Sequence, residues 1–97
     1  MPVYLVTPLI NNAARIKAAV DARLSGGDVH ELQGSAGWLV DFRGTSVELS
    51  NLIGITSPEG KPAESLGSAL VTSVGSYYGL GPAAMWEWLK TRFESAA

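Results

Sequence analysis

The sequence predicts an α+β fold: a four-stranded antiparallel sheet backed by helices and followed by a further C-terminal helix. Three observations predict it. Val3-Tyr4-Leu5-Val6-Thr7 is an apolar, β-branched and aromatic run of the kind that forms a central strand covered on both faces. Trp38, Val40 and Phe42 alternate with Leu39, Asp41 and Arg43 at the period of two that a half-buried strand needs. Helical spacing of apolar residues recurs around these runs, at Ala13, Ile16, Val20 and Leu24 and again at Met85, Trp86, Leu89 and Phe93.

Taken in chain order, Pro8 ends the first strand because proline cannot donate to a sheet ladder. Asn11 or Asn12 is placed to cap the first helix, and Gly26-Gly27 to stop it. Ala14, Ala18 and Ala22 line the helix face opposite the apolar one. Val29 to Gln33 reads as a short second strand, Gly34-Ser35 as a turn, and the two strands around it as a hairpin. Thr45-Ser46-Val47-Glu48 is a capping box, in which side chain and backbone of the first and last residues satisfy one another. It opens a short helix with Val47, Leu49, Leu52 and Ile53 as its apolar face and Gly54 as its stop. Thr56 to Leu66, with Pro58, Gly60 and Pro62, is a loop and is expected to act as a mobile linker. Ser68 to Tyr78 is a long strand with Gly75 as a bend, and Pro82 suits the first position of the final helix. Strand, helix, strand, strand, helix, strand is the order of two crossovers around a central hairpin. Residues 1–97 therefore form one ferredoxin-like βαββαβ sandwich with an additional C-terminal helix.

Composition removes whole classes of chemistry. With no cysteine among 97 residues, thiolate metal sites, iron–sulfur clusters, disulfides and cysteine nucleophiles are excluded. A net charge of −2 and a pI near 5.2 give no electrostatic drive toward nucleic acid or an anionic membrane. No apolar run is long enough to span a bilayer, and Met1-Pro2-Val3-Tyr4 does not open a signal peptide, so a cytoplasmic location is the default expectation.

The candidate constellations are few. Gly79-Leu80-Gly81-Pro82-Ala83-Ala84 matches the dinucleotide-binding fingerprint in form, but the strand and the acidic residue that must follow are missing, and Pro82 removes an amide. What survives is a helix start able to meet an anion. A small anionic or nucleotide-like ligand would then use Gly79 and Gly81, with Tyr77 and Tyr78 to stack on it and Arg43 for charge. His30 is the single histidine, so no histidine metal site forms and no cofactor or metal is expected. No Gly-x-Ser-x-Gly elbow exists to select a nucleophilic serine. Asp41 and Arg43 share a strand face as a surface ion pair or a polar patch on an open sheet face. Trp38, Phe42, Trp86 and Phe93 fit core positions. Trp88 lies about 110° from the centre of the final helix's apolar stripe. One of Tyr77 and Tyr78 must point away from the core, so Tyr77, Tyr78 and Trp88 are the expected partner surface.

The element order is shared with RNA-recognition motifs, whose first-strand motif Val3-Tyr4-Leu5 resembles. Trp38-Leu39-Val40-Asp41-Phe42 lacks the register and the basic residue of their third-strand motif, so nucleic-acid binding is not expected. Val3-Tyr4-Leu5-Val6, Gly37-Trp38-Leu39-Val40, the capped helix Ser46 to Ile53 and the final long strand resemble the small CRISPR-associated endoribonuclease-like proteins and their non-catalytic relatives. That resemblance implies a homodimer. It also implies an aspartate after the first strand in members that cut nucleic acid, and Thr7-Pro8-Leu9 stands there instead. The expectation is a small non-enzymatic interaction or assembly domain, dimeric through its last strand, its aromatic helix or the alanine face of its first helix. The alternatives are a small-ligand binder at the Gly79–Pro82 turn and a degenerate nuclease-like protein.

Overall fold

The computed structural model describes residues 3–32, 34, 36–57, 66–76, 79 and 82–95. Strand β1 (Val3–Pro8) lies between β3 (Trp38–Asp41) and β4 (Ala69–Val74), while β2 (Val29–Glu31) pairs with the far side of β3. The order across the sheet is β2-β3-β1-β4, and every neighbouring pair is antiparallel. Helix α1 (Ala13–Arg23) joins β1 to β2, α2 (Ser46–Ile53) joins β3 to β4, and α3 (Ala83–Ser95) follows β4. In each of the first two connections the joined strands run the same way with one strand between them.

Ladder geometry explains how proline sits at the end of the central strand. The Leu9 amide donates to the Ser68 carbonyl at 3.1 Å, one step beyond the Thr7–Leu70 and Pro8–Ala69 pairs. Hydrogen bonding alternates along an antiparallel pair, so Val3, Leu5 and Thr7 turn their amides to β4, and Tyr4 and Val6 turn theirs to β3. The nitrogen of Pro8 faces the β3 side, where β3 has already ended at Trp38 opposite Val6. No ladder bond is lost, so the strand runs one residue further than the sequence predicts. Gly37, just before Trp38, has a φ of 156° and lies so close to β1 that a Cβ would sit 2.6 Å from the Val6 carbonyl oxygen.

Alternation sends Tyr4, Val6, Trp38 and Val40 to one face, where they pack with Ile16 and Val20 of α1 and Leu49 and Ile53 of α2. Val3 and Leu39 point to the other face, where Leu89 of α3 covers them. The C-terminal helix therefore lies on the opposite side of the sheet from α1 and α2. This corrects the expectation of a half-buried β3: Trp38, Leu39 and Val40 are all buried, because each face has its own helical cover. The face carrying Asp41 is likewise not open.

Several local expectations hold and others shift. The Thr45–Glu48 capping box forms in full, and Gly54 closes α2 at a φ of 100°, the left-handed conformation that glycine adopts without strain. Only Leu49 and Ile53 of α2 are buried; Val47 and Leu52 are exposed. Helix α1 ends at Arg23, and Gly26–Asp28 makes a single 3₁₀ turn instead of a glycine stop. Strand β4 ends at Val74, before Tyr77 and Tyr78, which lie outside the described residues. The Pro82 carbonyl accepts from the Met85 and Trp86 amides, so Pro82 stands just before α3 rather than at its first position. On the surface, Lys17 pairs with Asp21 at 3.2 Å and Glu31 at 3.3 Å, and both carboxylates, Asp21 foremost, raise its pKa.

Asn12 precedes α1 but makes no side-chain cap. Its side chain is buried and donates to the Leu66 carbonyl at 2.7 Å and the Ser68 carbonyl at 3.0 Å, tying the entry of β4 to the start of α1. Asn12→Ala removes the side-chain donor from the Leu66 carbonyl, leaves the Ser68 carbonyl with the Leu9 amide alone, and is expected to cost about 2 kcal/mol in urea unfolding. Asn12→Asp, which aims a carboxylate at the same oxygens, is expected to cost at least as much. A loss under about 0.5 kcal/mol for both would show that these bonds do not hold the junction.

Candidate functional site

Two regions stand out, both on the sheet face under α3. The first is the seam between α3 and the β2 edge. At ~100° per residue Arg92 falls between Trp88 and Leu89 on the helix, so it belongs to the buried stripe and draws Trp88 into its margin. The Arg92 guanidinium donates through Nη2 to the Gly27 carbonyl, and the same nitrogen lies 3.8 Å from Asp28 Oδ1. Its Nε lies 3.5 Å from Asp41 Oδ2, and its carbon sits 5.2 Å from the centre of the Trp88 ring. The Trp88 indole N–H also reaches the Gly27 carbonyl, at 3.4 Å, and its ring lies 6.2 Å from that of His30. Asp41 is a carboxylate on a sheet face, only 7% exposed, and Arg92 is its ion-pair partner.

The second region is the end of that face beyond α3. Thr7 pairs with Leu70 and Leu9 with Ser68, so Leu9 and Leu70 are diagonal neighbours on one side of the sheet. Leu70 is 48% exposed and Leu9 57%, with Ile10 at 54% alongside in the chain. Thr72, on the same face, is exposed as well. Helix α3 buries Val3 and Leu39, near the other end of these strands, and leaves this end bare.

The residues singled out in the sequence are scattered. Tyr77, Tyr78 and Gly81 lie outside the described residues. Gly79 is described and exposed, with open space around it. Arg43 is exposed beyond the end of β3 that pairs with Val3. The start of α3 lies elsewhere: Pro82, Ala84 and Met85 line a cleft of about 180 Å³ with His30, Glu31 and Leu32, and the Leu32 amide bonds Gly37 at the other end of β3. Six residues of extended chain, on the order of 20 Å, separate the two places. Arg43 and the helix start are therefore not brought together. Trp88 is half-buried against the fold, not turned out from it.

Other surfaces are plainer. Thr56 makes a single β-bridge and, with Ser57, Ser50 and Val71, lines a cleft of about 320 Å³ beside β4. Thr56 donates its one hydroxyl hydrogen to Asn51 Oδ1 at 2.5 Å, so the 2.8 Å contact to Ser50 has Ser50 as donor. Ala14, Ala18 and Ala22 are exposed on α1. Among the described residues no group of three His, Asp or Glu side chains gathers to hold a metal, and no helix is long and apolar enough to cross a membrane. No protein-family model, curated protein or solved structure matches the chain.

The Arg92 seam is what sequence reasoning missed. Its signal was present in the helical wheel, where an arginine inside an apolar stripe calls for a buried acid opposite. Because Trp88 packs on Arg92, His30 and Gly27, Trp88→Ala is expected to cost about 2 kcal/mol in denaturant unfolding and to leave the oligomeric state unchanged. An unchanged stability together with a changed oligomeric state would return Trp88 to the role of an outward contact.

Proposed function

We propose that this chain is a small non-enzymatic interaction domain that self-associates, as a dimer, through the end of the sheet face that α3 leaves bare. The observation that carries this reading is the exposed Leu9–Leu70 pair on a sheet whose remaining apolar positions are covered. Apolar side chains rimmed by Thr7 and Thr72 form the kind of surface that associates, and the strand residues around them on this end of the face, Thr7, Leu70 and Thr72, carry no charge. The strand order β2-β3-β1-β4, with one strand between each pair joined by a helix, supports a ferredoxin-like assignment. Such a sheet carries two helices on one face and leaves the other for partners or an added element.

Sedimentation equilibrium at increasing concentration tests the reading. The wild-type chain is expected to form a dimer, and Leu70→Asp and Leu9→Asp are each expected to weaken it at least tenfold with little change in thermal stability. Leu9 lies past the end of the strand, so its variant separates lost association from lost folding. A wild-type chain that stays monomeric at the highest soluble concentration would sink the proposal.

A second reading, a small anionic ligand at the start of α3, has one observation in its favour. His30 lines the small cleft there beside Pro82 and Ala84, where the first helical amides lack intrahelical acceptors. Pyrophosphate is the probe, followed by NMR at His30 and the amides of residues 83 and 84. Shifts that saturate with concentration are expected if the ligand site exists; none would remove it.

A further inference from the structure

A groove of about 430 Å³ runs between α1 and the C-terminal end of α2, on the face of the sheet opposite α3. Its floor is apolar and low: Ala18 and Ala22 are exposed in it, and Ile53 and Leu66 add to the lining. Both charged side chains among the described residues that line it are arginines, Arg15 and Arg23. They are eight positions apart, which is about 12 Å along the helix at ~1.5 Å per residue. Arg23 ends α1, and its Nη1 donates to the Leu52 carbonyl at 3.5 Å, which sets the guanidinium toward α2. Arg15 has a contact of its own within the fold and brings a second positive charge one end further on. At ~100° per residue Arg15 lies about 20° from Ala22 and about 60° from Ala18, so charge and alanine floor share one face. The acid of this helix, Asp21, lies about 120° from Arg15 on the other flank, where it pairs with Lys17 at 3.2 Å. The groove is thus lined by positive charge in a chain whose net charge is −2.

An alanine floor lets another helix approach closely, because little side chain stands between the two backbones. A helix laid in a groove anchors itself at three- and four-residue steps, and two cations about two turns apart match two carboxylates at the same spacing. A second copy of this chain is a poor occupant. A two-fold interface sets a patch against itself, and here that brings arginines toward arginines. We propose that the α1–α2 groove docks a helical segment of another protein, one with two acidic residues seven or eight positions apart and an apolar residue between them. The site lies across the sheet from Leu9 and Leu70 and does not rest on self-association.

NMR titration of the full chain tests it. The probe is a helical peptide with two glutamates eight positions apart and a leucine midway between them; the control has lysines in place of the glutamates. The glutamate peptide is expected to bind at least tenfold tighter than the lysine peptide, although net charge alone favours the reverse, and to shift the amides of residues 15–23, 53 and 54. Arg23→Gln removes one charge from an exposed position and is expected to weaken binding at least threefold. Ala18→Gln raises the floor at another exposed position and is expected to weaken it at least fivefold. The same spectra show that each variant is folded. Equal affinity for the two peptides, or tighter binding of the lysine peptide, would overturn the proposal. So would shifts centred elsewhere on the molecule, or an affinity that neither variant changes. Inorganic triphosphate that shifts the same amides at the same concentration as the glutamate peptide would overturn the helical partner in favour of a general anion site.

Discussion

The constraint on which the rest depends is that the central pair of strands is apolar on both faces. Val3 and Tyr4 of β1 are buried on opposite sides of the sheet, as are Leu39 and Val40 of β3. A sheet with such a centre cannot leave either face to water, so it needs two covers. Helices α1 and α2 meet one demand through Ile16, Val20, Leu49 and Ile53. The other falls to α3, which is consequently a structural layer and not an appendage. One helix about 10–12 Å across cannot cover a face four strands wide. Its cluster takes in Leu39, Val3, Leu5 and Val74, and the end of β4 near Leu70 stays exposed. The bare patch thus follows from the same arithmetic that makes α3 necessary.

The ionic seam shows the cost of that solution. Burying Asp41 under the helix would be prohibitive alone, since an unpaired buried carboxylate loses its hydration without compensation. Arg92 supplies the charge. Its guanidinium is planar and forked, so it can address Asp41, Asp28 and the Gly27 carbonyl from one position while its carbon sits 5.2 Å from the centre of the Trp88 ring. An apolar pair of similar size would hold the helix at least as well. What the ionic arrangement adds is register: only one rotation of α3 brings Arg92 and Trp88 to the same carbonyl.

Legibility in the sequence followed the distance over which each feature is decided. The Thr45–Glu48 box and the Gly54 stop are settled within one turn of helix, and both were readable residue by residue. The strand pairing around Trp38-Leu39-Val40 was readable as alternation, but the burial of Leu39 was not, because its cover arrives about fifty residues later in the chain. Asn12 illustrates a competition: a residue suited to capping spends its side chain on the carbonyls of Leu66 and Ser68 instead, which no local pattern announces. Trp88 was misplaced for a specific reason. Drawing the helical stripe through Met85, Trp86, Leu89 and Phe93 alone puts Trp88 outside it; including Arg92 shifts the centre toward Trp88. The sequence suggested self-association without pointing to Leu9 or Leu70, the residues on which the proposed surface rests: Leu70 read only as part of the strand Ser68 to Tyr78, and their exposure is decided by where α3 lies.

The proposed self-association uses a face of the sheet rather than an edge, and the two outer strands bear on that choice. An outer strand such as β4, six residues long and free of charge and of proline, is ordinarily the place where a second chain adds on. Here Ile55 is buried in the core, and Thr56, Ser57 and Val71 line one cleft with residues of α2. The opposite outer strand, β2, has three residues, with Glu31 held by Trp38 and Lys17. The β2 edge is thereby blunted by brevity and charge. A face needs no free backbone groups to bind through, only apolar side chains that water does not satisfy. In the proposed association through the face, contact is side chain against side chain, so it would depend on Leu9 and Leu70 rather than on strand pairing.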